Sequence, residues 1–366
     1  MPSRSIISER GLNRAVLARQ LLLERSPLSV PRALERIAGI QAQYAPSSYV
    51  RLWTCLRSFE MADLDRLLER KAVVQATLMR STIHVVSRRD YWPFIEGVRP
   101  AQLEWWLRTW DKGQTEGVDL FATFAGLERE LHGRTWTRKE IEARFRAAGL
   151  TMWPGWIPMV RVPPAGTWTH RRADLFQVGR DWVGPSRTDE TTGVQHLLRR
   201  YLGGFGPGRL SEAAKWAGVD TSAMVAAAER LTLRTLRDEE GKELVDIPRA
   251  PLPDPTTRAP VRFLPNWDAA LLVHCRRTQI LPEAYRSLVF GTPNSIGTFL
   301  ADGHVAGSWK VRRSGTRAEL VYAPFERLPA ATDREVRDEG TALVRFHEPD
   351  ASSFTVRRAL PGGSSG

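Results

Sequence analysis

Cysteine, lysine and long apolar runs are all scarce in this chain, and each scarcity excludes something. Of 366 residues only two are cysteines, Cys55 and Cys275. They lie far apart in sequence, so neither a disulfide framework nor a cysteine-based zinc site can be built. No apolar run reaches the ~18 residues that a membrane-spanning helix needs. The opening stretch MPSRSIISERGLNRAVLARQ lacks the unbroken apolar centre and small-residue cleavage site of a secretory signal. The seven histidines (His84, His132, His170, His196, His274, His304, His347) are scattered without ligand spacing, and no acidic cluster resembles a two-metal nuclease centre. A P-loop, a G-x-S-x-G elbow and a zinc-deaminase signature are also missing. The glycine-rich GGFGPG at 203–208 lacks the spacing of a dinucleotide fingerprint and reads as a turn. These absences leave a cytoplasmic protein that calls for no metal and no cofactor.

What is present is positive charge. Lys+Arg number 53 against 41 Asp+Glu, a formal net charge of +12, and only six of the cations are lysines (Lys71, Lys112, Lys139, Lys215, Lys242, Lys310). A chain this rich in arginine suits polyanions, because the planar guanidinium grips phosphate oxygens in pairs and fits a narrow minor groove. Codon bias in a GC-rich genome explains arginine in place of lysine, but not the excess over acids. Nucleic acid is therefore the expected partner, with a nucleoid location. An apolar share of 42% and 13 tryptophans exclude a disordered chain.

Periodicity suggests an α+β fold. Residues 12–24 carry a helical apolar stripe, Ser29 caps a second helix with Pro31 in its first turn, and Gly39 marks its end. Further helices fit 47–57 and 61–71, and VVQATLMRSTIHVVS (73–87) reads as strand. Helices followed by a short ribbon outline a winged helix. The outline recurs. A helix at 119–132, a capping box from Thr137 to Glu140, and strands about a Pro-Pro-Ala-Gly turn make a second unit. In the third, 210–231 is a helix-turn-helix with Gly218 in the turn and Asp220 capping, before strands around Glu240-Gly241. A proline-rich linker (248–260) precedes a β-rich region with a hairpin at Asp302-Gly303 and a closing helix. The expected units are 1–112, 113–190, 191–250 and 251–366, the last ending in a flexible PGGSSG tail.

IAGIQAQYAPSS (37–48) carries the feature of most chemical interest. If Gly39 ends the helix, residues 41–43 run extended, and Gln41 and Gln43 point to one side. Two carboxamides there supply donors and acceptors enough to position one water or a phosphate. The alternative has Gln41 continuing the helix face of Leu34, Ile37 and Ala38, with Gln43 solvated.

Gln41-Ala42-Gln43, RSTIH (80–84), VPPAGTW (162–168), LPNWD (264–268) and GSWK (307–310) together resemble the winged-helix DNA glycosylases. Those include the bacterial AlkZ/YcaQ type, associated with self-resistance to the crosslinking natural product azinomycin. The resemblance covers nearly the whole chain. It implies tandem winged helices in a C-shape with an appended β-rich region, and a Gln-hydrophobic-Gln catalytic signature that falls on Gln41 and Gln43. The second Gln, rather than a carboxylate, places the chain nearer the crosslink-acting branch. It further implies an enzyme that hydrolyses the N-glycosidic bond of N7-alkylated purines in double-stranded DNA and unhooks interstrand crosslinks. Such a base already carries positive charge, so it leaves without a strong general acid, and neutral amides suffice to orient water. No Lys lies near the motif in sequence, which favours a monofunctional hydrolase over a Schiff-base lyase. A single chain with several winged helices needs no partner, so a monomer is expected.

The remaining candidates are supports for DNA. Arg80, Ser81, Thr82 and His84, on the 73–87 strand, are placed for phosphate contact or ribbon packing. Arg171 and Arg172 read as a wing on the backbone or as solvated charge. Gly303 and His304 read as a minor-groove wedge or an ordinary hairpin tip, and Lys310 as a further DNA contact. The rival function is a winged-helix transcriptional regulator without chemistry; a lapsed paralogue that only recognises lesions is a third.

Overall fold

The computed structural model describes residues 6–111, 113, 115–150, 157–272, 277–291 and 296–359; the PGGSSG tail, His274 and Cys275 lie outside them. The N-terminal region runs β1 (Ile6–Ile7), α1 (Glu9–Arg19), α2 (Val30–Ile37), β2 (Ile40–Gln41), α3 (Ala45–Cys55), α4 (Met61–Glu69), β3 (Val73–Thr77), β4 (Ile83–Ser87) and α5 (Arg88–Trp106). Next come α6 (Leu120–Leu131), β5 (Trp136–Thr137), α7 (Arg138–Ala147), β6 (Met159–Arg161), β7 (Leu175–Val178) and α8 (Gly179–Val183). The third region holds α9 (Glu190–Phe205), α10 (Leu210–Ala217), α11 (Thr221–Glu229), β8 (Arg234–Asp238) and β9 (Glu243–Asp246). The last holds β10 (Arg262–Leu264), α12 (Ala269–Leu272), α13 (Arg286–Phe290), β11 (Gly297–Ala301), β12 (His304–Ser314), β13 (Arg317–Pro324), α14 (Ala330–His347) and β14 (Ser353–Arg358).

Among the described residues three sheets organise the fold: β1-β8-β9, β2-β4-β3-β6-β7-β5 and β10-β11-β12-β13-β14. The six-stranded sheet runs across residue 112, because β3 pairs antiparallel with β6. Likewise β1 joins β8 in parallel. Each of these pairings links strands more than eighty residues apart, which local periodicity cannot show. One core fuses α5 with α9–α11 and β3/β4. There α5 crosses α9 at glycines, since a Cβ on Gly97 would come 2.7 Å from the Gly193 carbonyl carbon. Asp90, buried on α5, holds His196 and Arg200 of α9 at 2.8 and 2.6 Å. Fully buried Arg19 meets Asp246 at 2.7 Å, tying α1 to β9. No helix among the described residues is long and apolar enough to cross a membrane.

Local chemistry explains most boundaries. Thr137 and Glu140 form the reciprocal box that starts α7, and Gly218 takes φ +77 where α10 turns into α11. Four readings need correction. The helix expected to reach residue 24 stops at Arg19, where Leu21 turns left-handed (φ 57) and the Leu22 N–H closes on Leu17 O at 2.7 Å. The 73–87 segment is a hairpin and not one strand, folding at Met79–Ser81. Asp220 occupies the N-cap of α11, but its side chain makes no capping bond. Finally, α14 does not close the chain: β14 follows it and pairs in parallel with β13.

Candidate active site

The glutamine segment owes its course to the end of α2. Ala38 (φ 65) and Gly39 (φ 80) both turn left-handed. A Cβ on Gly39 would also come 2.9 Å from Val86 Cγ1, so only glycine suits that position. The chain then emerges as β2, antiparallel to β4, with Gln41 opposite His84. The Ala42 N–H continues the pairing by donating to Ile83 O at 2.7 Å.

Gln41 is 6% exposed and Gln43 is exposed. Gln41 Oε1 accepts from Arg80 Nη2 at 2.8 Å, and Gln43 Oε1 accepts from the Ile83 backbone N–H at 3.0 Å. Both partners can only donate, so each amide must point its oxygen toward the protein. Neither Nε2 has a hydrogen-bond partner among the described residues. The site therefore presents donors whose hydrogen-bonding capacity the fold leaves unused.

Arg80 and Ser81 lie in the tight connection from β3 to β4, both with positive φ (54 and 56). Contact with the helix-turn-helix holds them there. Arg80 Nη1 donates to Trp216 O at the end of α10, and a Cβ on Gly218 would come 3.0 Å from Arg80 N. Burial lowers the Arg80 pKa to about 10, so it stays charged at neutral pH and donates to Gln41. Thr82 Oγ1 donates to Met79 O at 3.0 Å. His84 departs from the phosphate-contact reading. It is buried at 3% exposure with Nδ1 2.9 Å from Thr82 O. Burial, then the Arg80 charge, lowers its pKa to about 3, so it is neutral and donates to that carbonyl.

Beside Gln43, Tyr44 is 41% exposed. Arg171 Nη1 donates to its hydroxyl at 2.8 Å, and the guanidinium lies 5.6 Å from the Tyr44 ring centre and 5.7 Å from that of Trp168. Tyr44 and Arg171 open onto a cleft of about 710 Å³ that Asn266, Lys310, Arg312 and Arg357 also line, with Glu348 as its carboxylate. Positive charge thus predominates in the cleft. Two of the short motifs line it, LPNWD through Pro265 and Asn266 and GSWK through Ser308, Trp309 and Lys310, and neighbouring motif residues are packed in the interior. Trp168 packs edge-on to Tyr49 at 5.6 Å, Asp268 pairs with buried Arg51 at 2.9 Å, and Trp309 Nε1 donates to Leu264 O at 2.9 Å. Arg172 is exposed, and its carbonyl accepts from the Gly166 N–H at 3.0 Å. Tyr44 and Asn266 escaped the sequence reading, although one directly follows the glutamines and the other sits inside LPNWD.

The hairpin tip at 302–304 is not a projecting wedge. Asp302 (φ 44) and Gly303 (φ 84) make the expected turn, but it docks on α1. Asn13 Nδ2 donates to Gly303 O at 2.9 Å, and Arg10 and Arg14 both bind the Asp302 carboxylate. A Cβ on Gly303 would come 2.6 Å from Leu17 Cδ1. His304, half-buried, has Nδ1 3.2 Å from Asp302 O.

No curated protein matches the chain. The AlkZ-like DNA glycosylase family model matches residues 34–346, a span that contains Gln41, Gln43 and every motif named above. The DNA glycosylase AlkZ of Streptomyces sahachiroi has a similar structure, with a TM-score of 0.78 over 97% of this chain and 100% of that one, at 19% sequence identity. Identity that low speaks for the α+β fold alone, and the family rests on the 34–346 match. By that match the chain belongs to the AlkZ-like DNA glycosylases, enzymes of DNA repair.

Proposed function

We propose that this chain is a monofunctional glycosylase that hydrolyses the N-glycosidic bond of N7-alkylated purines in duplex DNA, crosslinked purines included. Its helix and hairpin units act as tandem winged helices around the duplex, and one copy of the chain is sufficient. The observation that carries this reading is the pair of amides with fixed oxygens and unpartnered Nε2 groups at Gln41 and Gln43.

The chemistry follows from what those groups can and cannot do. Amides are too weakly basic to take a proton, so they suit only a base that leaves unaided. An N7-alkylated purine carries a positive charge, and when the glycosidic bond breaks its electrons neutralise the ring. The sugar is left with oxocarbenium character at C1′. Between them the two Nε2 groups donate to a water oxygen and to a backbone phosphate oxygen. The water's second lone pair is then free to attack C1′, and its proton passes to the phosphate. Catalysis is thus orientation and electrostatics. The cationic cleft beside Tyr44, with Arg171, Lys310 and Arg312, holds the backbone on either side. Unmodified purines, lacking the built-in charge, are inert.

The test is base release from three duplexes: one with a single N7-methylguanine, one with an N7–N7 interstrand crosslink, and one unmodified. Release from the first two alone supports the full proposal, and release from the first alone restricts it to simple adducts. No release, with tight binding to one intact sequence, overturns it in favour of a regulator.

A further inference from the structure

A second cavity, of about 430 Å³, shares no lining residue with the cationic cleft. Ser81 and Ile83 form part of its wall, and the Ile83 N–H is the group that holds Gln43. Trp105 and Trp110 also line it. These two rings pack edge-to-face at 6.3 Å and remain 40% and 42% exposed, unusual for indoles at the mouth of a cavity. Arg161 lines the same cavity at only 5% exposure. Its guanidinium makes no hydrogen bond or ion pair with any described residue. Asp174 attracts it from beyond pairing distance, and that carboxylate is bound to His170 at 2.9 Å. Trp106 Nε1, also on the wall, is buried without an acceptor. Native interiors leave few such donors unsatisfied, and a cation among them is the rarest case. Flat aromatic walls with orphaned donors ask for a flat ligand with an acceptor on its edge.

We propose that this cavity binds a fused-ring aromatic group bearing a hydrogen-bond acceptor, stacked on one indole of the Trp105–Trp110 pair with its edge toward the other, and accepting from Arg161. The inference rests on the glycosylase reading for its two sources of ligand. One is the damaged purine itself, swung out of the helix; the other is an aromatic substituent carried on it. In either case the glycosidic bond lies over Gln43, whose oxygen is held by Ile83 on the cavity wall.

Base release is measured for the native chain, Arg161→Met and Trp105→Ala on two duplexes, one with N7-methylguanine and one with N7-(naphthylmethyl)guanine. Thermal unfolding of each variant serves as the control for folding. A rise in KM of about tenfold on both duplexes assigns the purine, and a rise confined to the naphthylmethyl lesion assigns the substituent. Rates within twofold of native on both overturn the proposal. If the native chain releases no base at all, the glycosylase reading fails by itself. The cavity is then judged by titrating the protein with free 7-methylguanosine and reading tryptophan fluorescence. Saturable quenching that Arg161→Met weakens sustains the aromatic site; absence of saturable quenching overturns it.

Discussion

Two tight turns, at 78–82 and at 301–304, carry residues that the sequence offers as DNA contacts, and their hydrogen bonding separates them. At the second, the groups that face the protein already have partners. The Asp302 carboxylate is held by Arg10 and Arg14, and the Gly303 carbonyl by Asn13. That turn joins the C-terminal sheet to α1. At the first, the same kind of bonding fixes only half of each glutamine: the oxygens are bound and the nitrogens are not. A turn whose polar groups are all used within the protein stabilises the fold, whereas one that fixes neighbouring glutamines by their oxygens leaves donors that can act on something else.

The largest expected effect comes from deleting those donors. Gln43→Ala should lower base release by about 100-fold, in the range seen when one oriented donor is removed from a transition state. Its stability should change by less than about 0.5 kcal/mol, because the residue is exposed. Gln41→Ala should lose a similar rate but also about 1–3 kcal/mol in denaturant unfolding, since it leaves the partly buried Arg80 without its side-chain acceptor. Comparable destabilisation by both would erase the distinction between them.

Asp302→Ala should reverse that pattern. Removing the carboxylate leaves the fully buried Arg14 with neutral acceptors alone, Thr257 O, Asn13 Oδ1 and Asp302 O, and about 2 kcal/mol of stability should be lost. The carboxylate itself is half exposed, which keeps the figure below that of a sealed pair. Base release by the folded variant should stay within twofold of native; a tenfold loss at unchanged KM would return the tip to the DNA interface.

Arg171→Ala should act more weakly, through binding. A KM increase of about five- to tenfold and a salt-dependence slope shallower by about one are expected if it contacts a phosphate. An unchanged slope would leave Arg171 with only its role of steadying Tyr44.

Acid acts on stability alone. The His84 pKa falls from 6.5 unfolded to about 3 folded, so between those values the unfolded chain binds the extra proton. Stability is full above pH 6.5 and declines as pH drops toward 3, by at most about 1.4 kcal/mol per pH unit for this group. His304 and His347 shift in the same direction, chiefly by burial. His84→Gln should flatten the decline without removing it, as read by denaturant midpoints between pH 4 and 7.

Much of the fold was legible because its signals are local. Glycines at 39, 218 and 241 take the positive φ their turns require, and the Thr137 capping box forms as spaced. The extended course at Gln41 was one of two the sequence left open, and the left-handed Ala38–Gly39 turn after α2 selects it. What was not legible depends on distant contacts. Arg80 and Ser81 turn left-handed without glycine or asparagine, because the helix-turn-helix some 140 residues later holds them. The pairing of β3 with β6 and the docking of 302–304 on α1 are likewise long-range. His84 looked like a polar ribbon residue, and only the packed sheet reveals it as buried and neutral. The orphaned Arg161 could not be read from sequence at all, since lacking a partner is a property of the assembled interior.

The most direct measurement compares Gln43→Ala with Gln43→Glu in base release from an N7-methylguanine duplex. Glutamate keeps an oxygen for the Ile83 N–H but has no donor to offer. We expect both variants to lose most of the native rate, because the working atom is Nε2. A Gln43→Glu enzyme as fast as native, or faster, would contradict this and make the oxygen at position 43 the working group.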